Sequence, residues 1–402
     1  MTDNPTDTDQ EDEDVITFPT QLLRNFNSVA SQVVALVASD EMTVIGTGTR
    51  RKPQGRCLRS GVLHSIEDSL WRHIDRHSDE KEFLHFSSFS RDSFDLLVEI
   101  CQEKISCTPL DARYKASKEY KISSRRHTPR DIVAVGIKYL ISCAEHKDIF
   151  VQFGMTQTMY LNCLRVALTI FVDVLEFNEK SRVWWNKTPQ ALKRTAEMTA
   201  SFIEIPNVVA MIDGQKLPSA CPADPADQNA DYNGWTKETN RNVILLWNPD
   251  GTIIDAVINA PGSFHDSKTT KWGGIYDHIS SLPHPYIVVC DDAFVTSGEL
   301  HGKLMKTTYD EFGSGEKSEH DKSLTHLRQC SEWGNNDWTK VFRRLKMKLP
   351  TDNVTRARLL WCCVFLHNYR VNTIGRSQIK SYFNYINDLD LSHNNNNNNN
   401  NK

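Results

Sequence analysis

The sequence predicts an α/β protein in which a helical region precedes a region built on a sheet. Two observations predict it. Between Pro206 and Phe294, short apolar runs are bounded by turn signals, the pattern of core strands. From about Phe89 to Phe177, apolar residues instead recur at helical spacing.

The strands are justified one by one. Val208 to Gly214 is an apolar run ending in Asp213 and a glycine. Asn242 to Trp247 leads into Asn248-Pro249-Asp250-Gly251, residues that tight turns need, and the chain returns through Thr252 to Ile258, rich in β-branched residues. Tyr286 to Asp292 closes the series and again ends in acid. Carboxylates at strand ends sit on the sheet rim, where sites of α/β folds are built.

Among the helices, Ser90 caps a segment through Ile100, and Thr128-Pro129 opens another with a threonine cap and a proline at the first helical position. Lys147 to Thr158 then has the form of a helix-turn-helix: a short helix, Gly154 in the turn, and a threonine capping a longer helix to about Phe171. Gln157, Thr158, Tyr160 and Asn162 would face outward there, able to meet bases or phosphates. A helical hairpin packed on the next domain has the same pattern. Gln21 to Ala38 reads as an amphipathic helix. Basic clusters follow at Arg50 to Arg59 and Arg113 to Arg130.

At 402 residues the chain has room for two or three domains with sizeable cores. The formal net charge of −4 gives a nucleic-acid partner no general support, so local patches would have to supply it. The ten cysteines form no CxxC pair and read as reduced core thiols of an intracellular protein. The acidic N-terminus does not resemble a secretory leader. The apolar run from Leu359 to Leu366 is far short of the ~20 residues that span a bilayer, so no membrane is expected.

Asp213 and Asp291 each end a predicted strand, and Glu332, in a predicted helix, is the best third acid. Three converging carboxylates repel one another and hold a proton to raised pH unless a cation neutralises them. A hard divalent cation such as Mg²⁺ accepts such oxygen ligands, and paired metals serve phosphoryl transfer. Alone, each acid has a plainer reading: Asp213 as a turn residue before Gly214, Glu332 as a solvated acid paired with Arg328.

Three segments carry a resemblance: Pro206 to Gln215, Ala260-Pro261-Gly262-Ser263-Phe264-His265-Asp266-Ser267, and Val289 to Phe294. They resemble successive motifs of the PIF/Harbinger DDE transposases and the related Harbinger transposase-derived nucleases. Arg328 to Gly334 is similar to the third motif and Phe365-Leu366-His367-Asn368 to the segment that closes the domain. The resemblance implies an RNase H-like catalytic domain, a mixed sheet flanked by helices, over residues 181–375. It would be preceded by an all-α helix-turn-helix domain over 89–180 and a helical or linker segment with a basic patch over 21–88. Disordered tails would occupy 1–20 and 376–402.

It further implies Asp213, Asp291 and Glu332 as catalytic residues and ligands of Mg²⁺ or Mn²⁺. Asp266 competes with Asp291 for the second place, although it could equally cap the helix beginning near Ser267, and Asp291 is favoured because it ends a strong apolar strand. Gln157, Thr158, Lys237, Arg241, Arg343 and Arg344, with Lys216 and Lys346, are the candidates for holding DNA. The implied activity is metal-dependent cleavage of DNA in the nucleus, with a separate DNA-binding partner protein and an oligomer both possible. The chain departs from the family at Gln215-Lys216, at Tyr232-Asn233-Gly234-Trp235-Thr236-Lys237, and at Cys290. Those departures leave open a domesticated, catalytically silent protein that binds DNA or a partner on the same scaffold.

Overall fold

A computed structural model describes residues 63–110, 127–200, 205–306 and 319–383. The predicted helix at Gln21–Ala38, both basic clusters up to Arg126, the acidic tail and the asparagine run lie outside them.

The helical layer comes first: α1 (Leu70–His77), α2 (Glu80–Ser87), α3 (Arg91–Cys107), α4 (Pro129–Ile141), α5 (His146–Gln152) and α6 (Gln157–Leu175). Their starts are those the capping residues announce. Ser90 accepts from the N–H of Ser93, and Thr128 exchanges bonds with Asp131 in a capping box behind Pro129. Gly154 takes φ +61° in the turn between α5 and α6, and Thr156 caps α6. By length and composition α6 could cross a membrane. Its apolar side chains, Leu164 and Phe171 among them, are instead buried in the protein's own core.

The chain continues through α7 (Pro189–Ala200), β1 (Val208–Pro218), α8 (Pro225–Asp231), β2 (Tyr232–Asn233), β3 (Glu238–Trp247) and β4 (Ile253–Pro261). It ends with α9 (Asp266–Trp272), α10 (Ile275–Ser280), β5 (Ile287–Val289), β6 (Leu304–Met305), α11 (Glu319–Val341) and α12 (Asn353–Ile374). In space the strands run β4-β3-β1-β5-β6, with β2 extending β3 as a short hairpin. The β1–β3 and β3–β4 pairs are antiparallel, while β1–β5 and β5–β6 are parallel, so the sheet is mixed. Helices cover both faces. One core lies under α9 and α10; the other holds α11 and α12 and is continuous with the helical layer. The helical layer and the sheet thus share a core rather than meeting as separate bodies.

The segment that closes the domain has a structural task. His367 Nε2 lies 3.0 Å from the carbonyl oxygen of Gly251, at the β3–β4 turn. Asn368 mimics a strand: its Oδ1 accepts from the N–H of Ile253 at 2.7 Å, and its Nδ2 donates to the Ile253 carbonyl at 2.8 Å. α12 therefore bolts the hairpin down through side chains alone.

Two expectations are corrected. Residues 376–383 are not a loose tail: Ile379 and Phe383 are fully buried, because their four-residue spacing puts both on one helical face. The cysteines are free but not uniformly core. Cys107, Cys143 and Cys221 are exposed, while the six others described are buried.

Candidate active site

β1 and β5 run parallel, with Met211 beside Val289. Two residues further along each chain stand Asp213 and Asp291, and a two-residue step returns a side chain to the same face. That face looks toward α11. Sequence reasoning placed Asp213 at a strand end, whereas β1 continues to Pro218 because β3 pairs with it as far as Asn240. Only β5 stops at the rim. Asp213 is therefore mid-strand and not a turn residue.

Asp266, the first residue of α9, arrives from the opposite side of β1. A Cβ at position 214 would lie 2.5 Å from its carboxyl carbon, so Gly214 is what lets this carboxylate approach the strand. Asn242 Nδ2 fixes it, donating to Asp266 Oδ1 at 2.9 Å and to Thr269 Oγ1 at 3.0 Å. Asp266 thus lies near enough to raise both Asp213 and Asp291, although among the described residues the three do not form a group that could hold a metal ion.

The charges act on one another. Burial, then the neighbouring Asp291, with Asp266 and Glu332 contributing, push the Asp213 carboxyl up to about 7, against the opposing pull of the Gly214 N–H. Asp291 is raised by burial and by Asp266, and eased by the N–H of Ala293 and by Arg328. Carboxylates held this close demand positive charge.

Sequence reasoning missed the residue that steers Asp213. Asn335 of α11 is buried and donates from Nδ2 to Asp213 Oδ2 at 2.9 Å. Its Oδ1 accepts from the Trp247 indole N–H at 3.0 Å. An indole nitrogen can only donate, so Trp247 fixes which end of the Asn335 amide faces the carboxylate. The signal was present: Asn335 lies three residues after Glu332, on the same helix face.

Glu332 itself is exposed and bound to Arg328, 3.1 Å from Oε1 to Nη1. It sits near enough to raise Asp213 but is engaged in the plainer pairing. Among the described residues, no group of three or more His, Cys, Asp or Glu side chains could hold a metal ion. Two neighbouring carboxylates such as Asp213 and Asp291 are the oxygen donors a hard divalent cation takes, its other positions being filled by water and substrate oxygens.

The DNA-holding candidates divide. Gln157, Thr158, Lys237, Arg343 and Lys346 are exposed, and Lys216 donates to the Phe264 carbonyl at 3.4 Å. Arg344 is buried, its guanidinium 4.1 Å over the Tyr139 ring and donating to the carbonyls of Tyr139 and Ala144. Arg241 is paired with buried Asp231. Both were expected to meet phosphate, and both are used inside, where the rigid donor fork of arginine suits buried acids and carbonyls. Tyr160 is likewise buried, its hydroxyl 3.1 Å from His146 Nδ1.

Residues 212–368, under half of the chain, match the family model described as DDE superfamily endonuclease. The match opens one residue before Asp213 and closes on Asn368, so it spans the acids and the segment that bolts down the hairpin. It supports the DDE transposase superfamily at large rather than the Harbinger group. No curated protein and no solved structure matches the chain.

Proposed function

We propose that the protein is a nuclease of the DDE transposase type, on an RNase H-like scaffold, cleaving DNA phosphodiester bonds at the rim formed by β1 and β5. One observation carries this reading: Asp213 on β1 and Asp291, two residues past the end of the parallel strand β5, lie close enough for Asp291 to raise Asp213, inside the segment that matches DDE endonucleases. The two aspartates would hold Mg²⁺ or Mn²⁺, which supplies charge neutralisation at the scissile phosphate and a more acidic water. Trp247 and Asn335 lock one oxygen of Asp213, and Asn242 locks Asp266, so the acids keep their aim. Lys237, Lys216 and Arg343 are the cations for the phosphate backbone. With DNA as its substrate, the protein would act in the nucleus.

A second reading has its own support. Glu332 is paired with Arg328, and among the described residues no group of three acids could hold a metal ion, as expected of a scaffold that binds DNA or a partner protein without chemistry. Divalent-metal binding and DNA nicking, followed together in wild type, Asp213→Asn and Glu332→Gln, separate the two. On the nuclease reading, Asp213→Asn lowers metal-dependent nicking on the order of a thousandfold while fold and DNA affinity persist. Loss of nicking in Glu332→Gln would make Glu332 the third ligand. Wild type that holds DNA but binds no metal and makes no nicks would establish the silent scaffold.

A further inference from the structure

Trp235 is 94% exposed, yet it does not hang on a loose loop. It sits in the hairpin between β2 and β3. There Asn233 Oδ1 accepts the N–H groups of Trp235 at 3.0 Å and Thr236 at 3.1 Å. Asn240 Nδ2 donates to Thr236 Oγ1 at 2.7 Å, bracing the far side of the turn. Asn233 Nδ2, buried, donates to the Gly262 carbonyl at 2.7 Å. At Gly262 a Cβ would lie 2.2 Å from the Asn240 carbonyl oxygen, so the hairpin and the chain entering α9 touch backbone to backbone. An indole that the fold leaves in water is thus held by a turn whose own side chains are fixed.

The hairpin runs into the strand that holds one of the acids: Asn240, which braces the turn, precedes by two residues Asn242, whose Nδ2 donates to Asp266 Oδ1 at 2.9 Å. Gly262 precedes Asp266 by four residues, so their backbones lie within about 14 Å by chain reach. That is roughly four steps along a duplex. The helix that Asp266 opens is itself aromatic and basic: Lys268 Nζ stands 3.8 Å over the Phe264 ring, and Trp272, edge-on to Phe264, is 58% exposed.

We propose that Trp235 is a stacking platform for a nucleobase unstacked from DNA next to the cleavage rim, so that the protein engages distorted or single-stranded DNA there rather than an intact duplex. Phosphates call for cations, which Lys237 and Lys268 provide. An indole face offers phosphate nothing, but matches any base whose own face has been freed by unstacking. In an intact duplex those faces are covered. The occupant is therefore a base and not a backbone. This inference rests on the nuclease reading for the position of the DNA.

The test uses the full chain in EDTA, so that binding is read without cleavage. Wild type, Trp235→Phe and Trp235→Ala are titrated with a single strand, a duplex, and a duplex carrying a short unpaired stretch labelled with 2-aminopurine. Because Trp235 is solvent-exposed, its variants should unfold at the wild-type temperature. Trp235→Ala should lose about tenfold in affinity for the single strand and the partly unpaired duplex, with little change for the intact duplex. Trp235→Phe should keep most of that affinity, and wild type alone should quench the 2-aminopurine signal fully. Equal affinities of Trp235→Ala and wild type for all three DNAs overturn the proposal. So does a change of oligomeric state in Trp235→Ala with DNA binding unaltered, which would make the indole a protein contact. Failure of the nuclease reading looks different: wild type then shows no metal-dependent nicking, whatever Trp235 does.

Discussion

Two clusters of partly buried charge flank the middle of the same sheet, and they are built oppositely. At one, buried Asp231 is paired with Arg241, and Arg356 stands by with its guanidinium on the carbonyls of Pro350 and Thr351 and the Oδ1 atoms of Asn259 and Asn353. Burial raises Asp231 and lowers both arginines, Arg356 to about 10, so each charge is costly alone and tolerated through its neighbours. At the other, Asp291 and Asp266 raise Asp213, neutral amides from Asn335 and Asn242 bond Asp213 and Asp266, and Arg328 eases Asp291 while paired with Glu332. The first cluster pairs its opposite charges within the chain, although Asp231 Oδ1 and Arg241 Nε are buried without hydrogen-bond partners. The second is poised for positive charge from outside, and that difference separates a structural ion cluster from a candidate catalytic one.

Breaking the paired cluster should have the largest effect. Asp231→Ala leaves Arg241 and Arg356 buried without their acid and should cost about 3–5 kcal/mol in denaturant unfolding. A loss below about 1 kcal/mol would erase the contrast. Next comes the close approach at the rim. Gly214→Ala should cost about 1–3 kcal/mol, because the new methyl meets the Asp266 carboxylate. Asp266→Ala in the same protein should recover most of that loss, a coupling that a double-mutant cycle reads directly.

At the acidic rim, removing a charge should stabilise. The folded carboxyl of Asp213 ionises at about 7, against an ordinary value of 3.8. Between those values the folded state keeps a proton that the unfolded chain has released, so the group grows unfavourable as pH rises and is fully so above about 7. Metal-free Asp213→Asn should therefore gain about 1–2 kcal/mol at pH 8 and nothing near pH 4, a gain reduced by the hydrogen bond that its amide cannot accept. An equal or lower melting temperature at pH 8 would show that the acids do not strain the fold.

The smallest effect belongs to His278, bonded to Asp255 and raised chiefly by that bond. Its stabilisation is fully present below the unfolded value of 6.5 and is lost as pH rises through the higher folded value. His278→Gln should cost under about 1 kcal/mol at pH 6 and less at pH 9.

Much of this was legible in the residues. Short β-branched runs and the Asn248 to Gly251 turn announced β3 and β4, and Ser90, Thr128 and Thr156 announced their helices, because capping and turn chemistry act over three or four residues. Asp213 and Asp291 were legible as a pair because each follows a short apolar run. By itself, the sequence determined this list of elements and the acids most worth watching. The tertiary structure alone decided that β1 runs past Asp213, that Asp266 slips in beside Gly214, and that Asn335 is aimed by Trp247. It also decided that Arg241 and Arg344 turn inward while Trp235 stays in water. Each of those outcomes depends on contacts between residues far apart in the chain. Local pattern carries the period of a strand or helix, but which carboxylate meets an amide, an arginine or another acid is set only when the layers pack.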